Sequence, residues 1–196
     1  MTDEKLLIDR AQRGDTDAFR VLVERSRITT YRLAYDLTGN RHDAEDLSQE
    51  AYIRAYRGLK NFRGDAKWSS WLYRITMNTF YDHWRIKKKQ PVQFEDETEL
   101  ATMPTAAQTG NAHAPTPERS AEAGVIQQHI DQALESLSPQ ERSVFVLRHY
   151  HDLPLKEIAS TLEIAEGTVK AYLFRSIQRL QKELAFYRPE LGLEEN

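Results

Sequence analysis

The sequence predicts an all-α protein: two small helical domains joined by a long flexible linker, the second a helix-turn-helix domain. Three observations carry this. Apolar residues recur at helical spacing through most of the 196 residues, and no clean strand alternation is closed by hairpin turns. Periodicity stops between about 90 and 119, where Pro91, Pro104, Pro115 and Pro117 mix with Thr, Ala, Gln and the acids Glu95, Asp96, Glu97 and Glu99. Such a stretch of about 30 residues is too long for an ordinary loop inside one compact domain. Finally, a short helix, a tight turn and a longer helix follow one another near the C-terminus. The expected boundaries are 1–90, a linker at 91–119, and 120–196.

Taken in order, Gly14-Asp15-Thr16-Asp17 reads as a helix stop followed by an N-cap. Ala18, Phe19, Leu22 and Val23 begin an apolar stripe that Ile28, Tyr31, Ala34 and Tyr35 continue. Thr38-Gly39-Asn40 breaks it. Asn40 caps the next helix, with Asp43 at its positive end. That helix carries Leu47, Tyr52, Ala55, Tyr56 and Leu59. A polar loop spans Lys60 to Lys67, and a further helix runs from Ser69 or Ser70 to about Arg85. In the second domain, Val125, Ile126, Ile130, Ala133, Leu134 and Leu137 form one stripe. Ser138-Pro139-Gln140-Glu141 combines a cap, a first-turn proline and a capping-box acid. Leu155–Leu162 is a short helix, Glu163-Ile164-Ala165 a turn, and Glu166 to about Phe186 a longer helix. Glu163 occupies a turn position that glycine often fills, and it bears a penalty if its φ is positive.

Composition excludes several classes. With no cysteine, disulfides, thiolate metal sites and cysteine nucleophiles are ruled out. No apolar run approaches the roughly 20 residues that span a bilayer, so membrane insertion is not expected. The acidic, polar start Met1-Thr2-Asp3-Glu4-Lys5 has none of the marks of a secretory signal, and a cytoplasmic location is expected. Charge is unevenly spread. Residues 1–90 carry 18 Lys+Arg against 13 Asp+Glu, residues 91–122 carry 1 against 6, and residues 123–196 carry 8 against 11. A basic front can meet phosphates although the whole chain is at −3; the acidic middle should avoid them.

Three constellations carry chemistry. On the last helix, Lys170, Ala171, Phe174, Arg175, Gln178 and Arg179 face outward, opposite Val169, Leu173, Ile177, Leu180 and Leu184. Long cationic donors near the start of an exposed helix suit guanine edges and phosphates in a major groove, and Phe174 suits a thymine methyl. A plain helical hairpin with a solvated cationic face fits the same pattern. In the second, Phe62-Arg63-Gly64-Asp65-Ala66-Lys67-Trp68 leads into Trp71, Arg74 and Asn78. Aromatics interleaved with cations supply the stacking surface and backbone charge that single-stranded bases need. Trp71, Leu72 and Ile75 fit a hydrophobic core equally well. The third is Asp43-Ala44-Glu45-Asp46-Leu47-Ser48-Gln49-Glu50. Here Asp43, Asp46 and Glu50 share a helical face at metal-binding spacing, but no Glu-x-x-His partner completes a di-iron site. Leu47, Gln49 and Tyr52 beside them favour protein docking. His149 and His151 flank Tyr150 without an evident third ligand. No glycine-rich phosphate loop or nucleophile elbow is present, so neither cofactor nor catalysis is expected.

Together these blocks resemble the extracytoplasmic-function type of bacterial sigma factor. Asp43 through Tyr52 resembles the family's polymerase-docking helix. Phe62-Arg63-Gly64 through Trp71-Leu72-Tyr73-Arg74-Ile75 with Asn78 resembles its minus-ten reader. Leu137-Ser138-Pro139-Gln140-Glu141-Arg142, Glu157-Ile158-Ala159 and Gly167-Thr168-Val169-Lys170 resemble its minus-thirty-five reader. The resemblance implies binding to core RNA polymerase, at the clamp helices of the largest subunit and the flap of the second-largest. Asp43, Asp46, Leu47, Gln49, Glu50 and Tyr52 would serve docking. Phe62, Arg63, Gly64, Asp65, Ala66, Lys67, Trp71, Arg74 and Asn78 would read the melted minus-ten strand. Glu166, Thr168, Lys170, Ala171, Phe174 and Arg175 would read duplex promoter DNA at minus thirty-five. The acidic linker would thread toward the polymerase active-site channel, and an anti-sigma factor would hold the protein inactive. The start lacks the long acidic extension of housekeeping relatives. One departure bears on specificity: Ala171-Tyr172 stands where many relatives have Ser-Arg. Two other classes stay open on the residues themselves, a free-standing helix-turn-helix regulator and a metal-dependent helical enzyme built on Asp43, Asp46 and Glu50.

Overall fold

The computed structural model describes residues 3–64, 66–89 and 117–187. Its regular elements are all helical: α1 (Asp3–Gln12), α2 (Thr16–Thr38), α3 (Arg41–Gly58), α4 (Trp68–Lys89), α5 (Pro117–Glu135), α6 (Pro139–His149), α7 (Leu155–Leu162) and α8 (Glu166–Glu183). Short 3₁₀ turns follow α3 and α8. Residues 90–116, the body of the expected linker, lie outside the described residues.

The helix starts follow from local chemistry. Asp15 caps α2, its side chain accepting from the Ala18 N–H at 3.0 Å. α2 ends on Gly39, whose φ of 76° lets its N–H reach the Tyr35 carbonyl at 2.8 Å. Asn40 then caps α3, accepting from the Asp43 N–H at 2.8 Å. At α6 both halves of the capping box form: Ser138 Oγ accepts from the Glu141 N–H, and Glu141 Oε2 accepts from the Ser138 N–H. Each such cap contributes about 1 kcal/mol.

Some edges and faces differ from the sequence expectation. α4 begins at Trp68 and runs on to Lys89, and α8 gives way to a 3₁₀ turn at Ala185–Tyr187. Ile28, expected on an inward stripe, is 63% exposed, and Val125 and Ile126 are 50% and 45% exposed. Periodicity tells which residues share a face; whether another helix covers that face depends on packing far away in sequence.

The apolar residues gather into three clusters. One lies within the first domain and joins Leu7, Ile8 and Ala11 of α1 to Leu22, Ala55, Leu59, Phe62, Trp68 and Leu72. A small one joins Ala133, Leu134 and Leu137 to Leu180. The largest crosses between the domains. Leu33, Leu37, Leu47, Met77 and Phe80 from the first pack with Val144, Leu147, Leu153, Ile158 and Val169 from the second. The two domains are therefore packed face to face, α7 and α6 against α4 and α2. Removing a Leu or Ile side chain of this kind from water is worth about 1.5–3 kcal/mol, so the shared cluster is a substantial contact.

Candidate nucleic-acid interface

α4 and the loop before it form the first surface. Phe62 and Trp68 are buried, and Trp71 is half-buried. Their rings interlock: Phe62 lies 4.7 Å from Trp71 and Trp68 5.3 Å from Trp71, centroid to centroid. The aromatics of this block thus serve mainly as the floor of the loop, and Leu72 is core, as the alternative reading held. The side-chain amide of Gln12 pins the floor from below, donating to the Leu59 and Phe62 carbonyls at 2.9 and 2.6 Å. Above it Arg63, Gly64, Ala66 and Lys67 are exposed. Gly64 turns the loop with φ 75°. Asp65 lies outside the described residues. On α4, Asn78 is exposed and Arg74 is half-exposed. Arg74 Nη1 donates to Glu163 Oε1 at 3.0 Å, so this cation is already engaged by the second domain.

α8 forms the second surface. Val169, Ser176 and Leu180 are buried beneath it. Glu166, Lys170, Phe174 and Arg175 are exposed, Thr168 and Ala171 half-buried. Phe174 is 63% exposed, an apolar ring open to a partner. Lys170 pairs with Glu166 at 3.0 Å, one turn back. The Arg175 guanidinium sits 5.1 Å from the Tyr172 ring centroid, a cation–π contact. Tyr172 itself packs on the shared core. It thus takes a structural place and props the neighbouring arginine.

α3 forms a third, acidic surface. Asp46 and Gln49 are exposed, while Asp43, Glu50 and Tyr52 are half-buried. Leu47 is fully buried, so a partner would meet its neighbours and not Leu47. Asp43 has the Lys87 ammonium beside it and Glu50 the Arg54 guanidinium at 2.9 Å, while the His42 imidazole lies 3.6 Å from Asp46. Burial would raise the Asp43 carboxyl, but hydrogen bonds from Lys87 and Asn40 outweigh it and hold it below the usual aspartate value. Arg54 is in turn bound to Asp82 of α4 at 2.6 Å, which keeps its guanidinium firmly charged. Among the described residues no group of three or more His, Asp or Glu is placed to hold a metal ion.

Two features escaped the sequence reading. The exposed end of α4 carries Trp84, Arg85, Ile86, Lys87 and Lys88, with Lys88 Nζ 4.9 Å from the Trp84 ring centroid. The Lys87-Lys88-Lys89 run was the available signal. The second is His151. Its Nε2 lies 3.0 Å from Asp36 Oδ2 and its Nδ1 3.3 Å from the Tyr73 hydroxyl, so it bridges the domains. Burial, with Glu157 and Asp36 nearby, raises the Tyr73 phenol. Nothing local to Tyr150 foretells either contact.

Comparison with known proteins places these surfaces in a family. Residues 22–90 match the Sigma-70 region 2 model, and residues 127–180 match Sigma-70, region 4. The ECF RNA polymerase sigma factor SigW of Bacillus subtilis is 37% identical over 184 residues, 92% of this chain and 96% of that protein. The chain belongs to the extracytoplasmic-function sigma factors. Two solved structures share the fold of this sigma factor. CnrH, in complex with the cytosolic domain of CnrY, gives a TM-score of 0.64 at 20% identity, covering 93% of this chain and 97% of that one. RpoE of Bartonella quintana, in complex with the anti-sigma factor NepR, gives 0.62 at 24% identity, covering 85% and 96%. As a sigma factor the chain is a transcription initiation protein; the α4 and α8 surfaces fall inside the region 2 and region 4 matches respectively. No helix among the described residues is long and apolar enough to cross a membrane.

Proposed function

We propose that this sigma factor docks on core RNA polymerase and directs it to two-part promoters, with residues 1–90 and 120–196 as the two reading domains. The second domain reads duplex DNA at minus thirty-five with α8. The first reads the melted minus-ten strand with the Phe62–Lys67 loop and α4. The observation that carries this is the outer face of α8, where Lys170, Phe174 and Arg175 stand clear of the core on one side of a helix whose other side is buried. A groove-reading helix needs that division, and the exposed ring gains a partner in a thymine methyl.

At minus ten, the buried aromatic floor fixes the loop while the exposed Arg63 and Lys67 face backbone phosphates. Extruding one base costs a few kcal/mol, which docking on polymerase and the summed strand contacts offset. Docking uses the row of exposed Asp46 and Gln49 with half-buried Glu50 on the clamp helices of the largest subunit, and the second domain meets the flap of the second-largest. Leu47 supports that row from inside. CnrH and the Bartonella quintana RpoE, which share this fold, are each bound to a partner protein, the latter to the anti-sigma factor NepR, and this chain is read as controlled by an anti-sigma factor in the same manner. It performs no catalysis of its own and works in the cytoplasm.

The test is in vitro transcription with core polymerase from a pool of randomised promoters. The expected result is enrichment of one shared two-part sequence. Arg175→Ala and Lys170→Ala should each weaken the minus-thirty-five preference by roughly 5- to 100-fold, the range for losing one good base contact. Transcripts that do not depend on the added protein, or variants that leave the preference intact, would refute the assignment.

A further inference from the structure

The loop between α3 and α4 is tied at both ends and stands clear of the body between them. At its far end the Lys67 carbonyl accepts from the Trp71 N–H at 3.1 Å, which joins the loop to the first turn of α4. At its near end the Phe62 carbonyl accepts from the Gln12 side chain at 2.6 Å, and the same amide nitrogen donates to the Leu59 carbonyl at 2.9 Å. Only the NH2 end of a carboxamide can meet two carbonyls, and both of its N–H bonds are used here. Between the anchors Arg63, Gly64 and Ala66 are exposed, and a Cβ on Gly64 would touch nothing within 4 Å. Where the apex sits therefore follows from where the two ends are tied.

Gln12 reaches the loop from far away in the chain. It is the last residue of α1, 50 residues before Phe62. α1 also lies ahead of the 22–90 stretch that matches the region 2 model. The helix that presents Gln12 is held by other contacts. Leu7, Ile8 and Ala11 are buried in one cluster with Leu22, Leu59, Phe62 and Trp68. Asp3 pairs with Arg25 at 2.6 Å, and Arg10 pairs at 2.7 Å with Asp15, the cap of α2. The two amide bonds differ in consequence. The Leu59 carbonyl also accepts from the Phe62 N–H at 3.0 Å and keeps that partner without Gln12. The Phe62 carbonyl, the first of the loop, has no other partner among the described residues. Losing the Gln12 amide thus leaves α1 docked and the turn closed, and releases one end of the loop.

We propose that Gln12 is a positioning residue for minus-ten selectivity. It touches no DNA; it fixes the loop that holds the extruded base, so that one base fits better than the others. This rests on the minus-ten reading of the Phe62–Lys67 loop proposed above. A loop tied at one end swings about the other. Base-edge contacts are lost by such a shift, whereas long cationic side chains still follow the phosphates, so selectivity falls before affinity.

The experiment is initiation by the full chain with core polymerase. The promoters carry the two-part sequence selected from the randomised pool, or one base change in it. Gln12→Met keeps the length of the side chain and removes both donors. Gln12→Asn keeps the amide on a stem one methylene shorter. Each should narrow the rate ratio between preferred and replaced base, at the most selective minus-ten position, about fivefold, the net worth of one hydrogen bond. The ratio at minus thirty-five and co-purification with core polymerase should stay at wild-type values, a split that general destabilisation does not produce. Either variant that keeps the wild-type circular dichroism suffices. Gly64→Val, which forces a β-branched side chain onto φ 75°, distorts the loop directly and is the reference. If Gly64→Val narrows the minus-ten ratio and the folded Gln12 variants leave it intact, the inference is overturned and the minus-ten reading stands. Equal narrowing at minus ten and minus thirty-five would overturn it as well. If neither Gly64→Val nor the Gln12 variants move the minus-ten ratio, the reading falls and the inference falls with it.

Discussion

Replacing Glu163 by glycine tests whether the turn between α7 and α8 stores strain. Glu163 sits at φ 56° and ψ 41° as the C-cap of α7. A left-handed residue with a Cβ costs about 1–2 kcal/mol relative to glycine. Glycine returns about 0.5 kcal/mol of that through the greater freedom of the unfolded chain. It also forfeits the Arg74 pair, whose side chains are 42% and 69% exposed; so open a pair is worth at most about 0.5 kcal/mol. Glu163→Gly should therefore stabilise by about 0.5 kcal/mol. Glu163→Gln keeps the strain and loses the pair, so it should destabilise by up to about 0.5 kcal/mol. The assay is urea unfolding followed by far-ultraviolet circular dichroism, with all three proteins at the same salt. The decisive quantity is the gap between the two variants, about 1 kcal/mol, because the lost pair cancels from it. A glycine variant no more stable than the glutamine variant would refute the strain argument.

Gly39→Ala should do the opposite. Gly39 has φ 76°, and a Cβ there would lie 3.2 Å from Arg142 Nη2 of the second domain. The expected loss is about 1–2 kcal/mol in urea. Asp43→Asn removes an acid whose folded-state carboxyl is held below its ordinary 3.8 by Lys87 and Asn40. A depressed carboxylate stabilises the fold above its unfolded value and loses that contribution as pH falls. The variant should thus be less stable than wild type near neutral pH, and the gap should close as acid takes the wild type below 3.8; a gap independent of pH would sink the assignment. Leu47→Ala should cost about 2–5 kcal/mol of stability, whereas Gln49→Ala should leave the melt unchanged and weaken co-purification with core polymerase. Equal stability losses at the two positions would contradict the burial argument.

Residue by residue, what was legible in the sequence was what short stretches decide. Asp15, Asn40 and Ser138 cap their helices because a side-chain oxygen reaches an amide two or three residues on, a matter of local geometry alone. The left-handed Glu163 was flagged for the same reason, since helix-turn-helix spacing determines which residue must turn. The candidate surfaces on α3, α4 and α8 followed from order and helical period. Tertiary structure decided which members of each surface are free. Phe62 and Leu47 turned inward because neighbouring helices cover them, while Ile28, Val125 and Ile126 stayed exposed because none does. It alone decided that Arg74 meets Glu163 and that His151 bridges Asp36 and Tyr73. Those partners are 89, 115 and 78 residues apart in the chain. No period or cap carries information across such separations, and only the packing of one domain's apolar face on the other's brings them into reach.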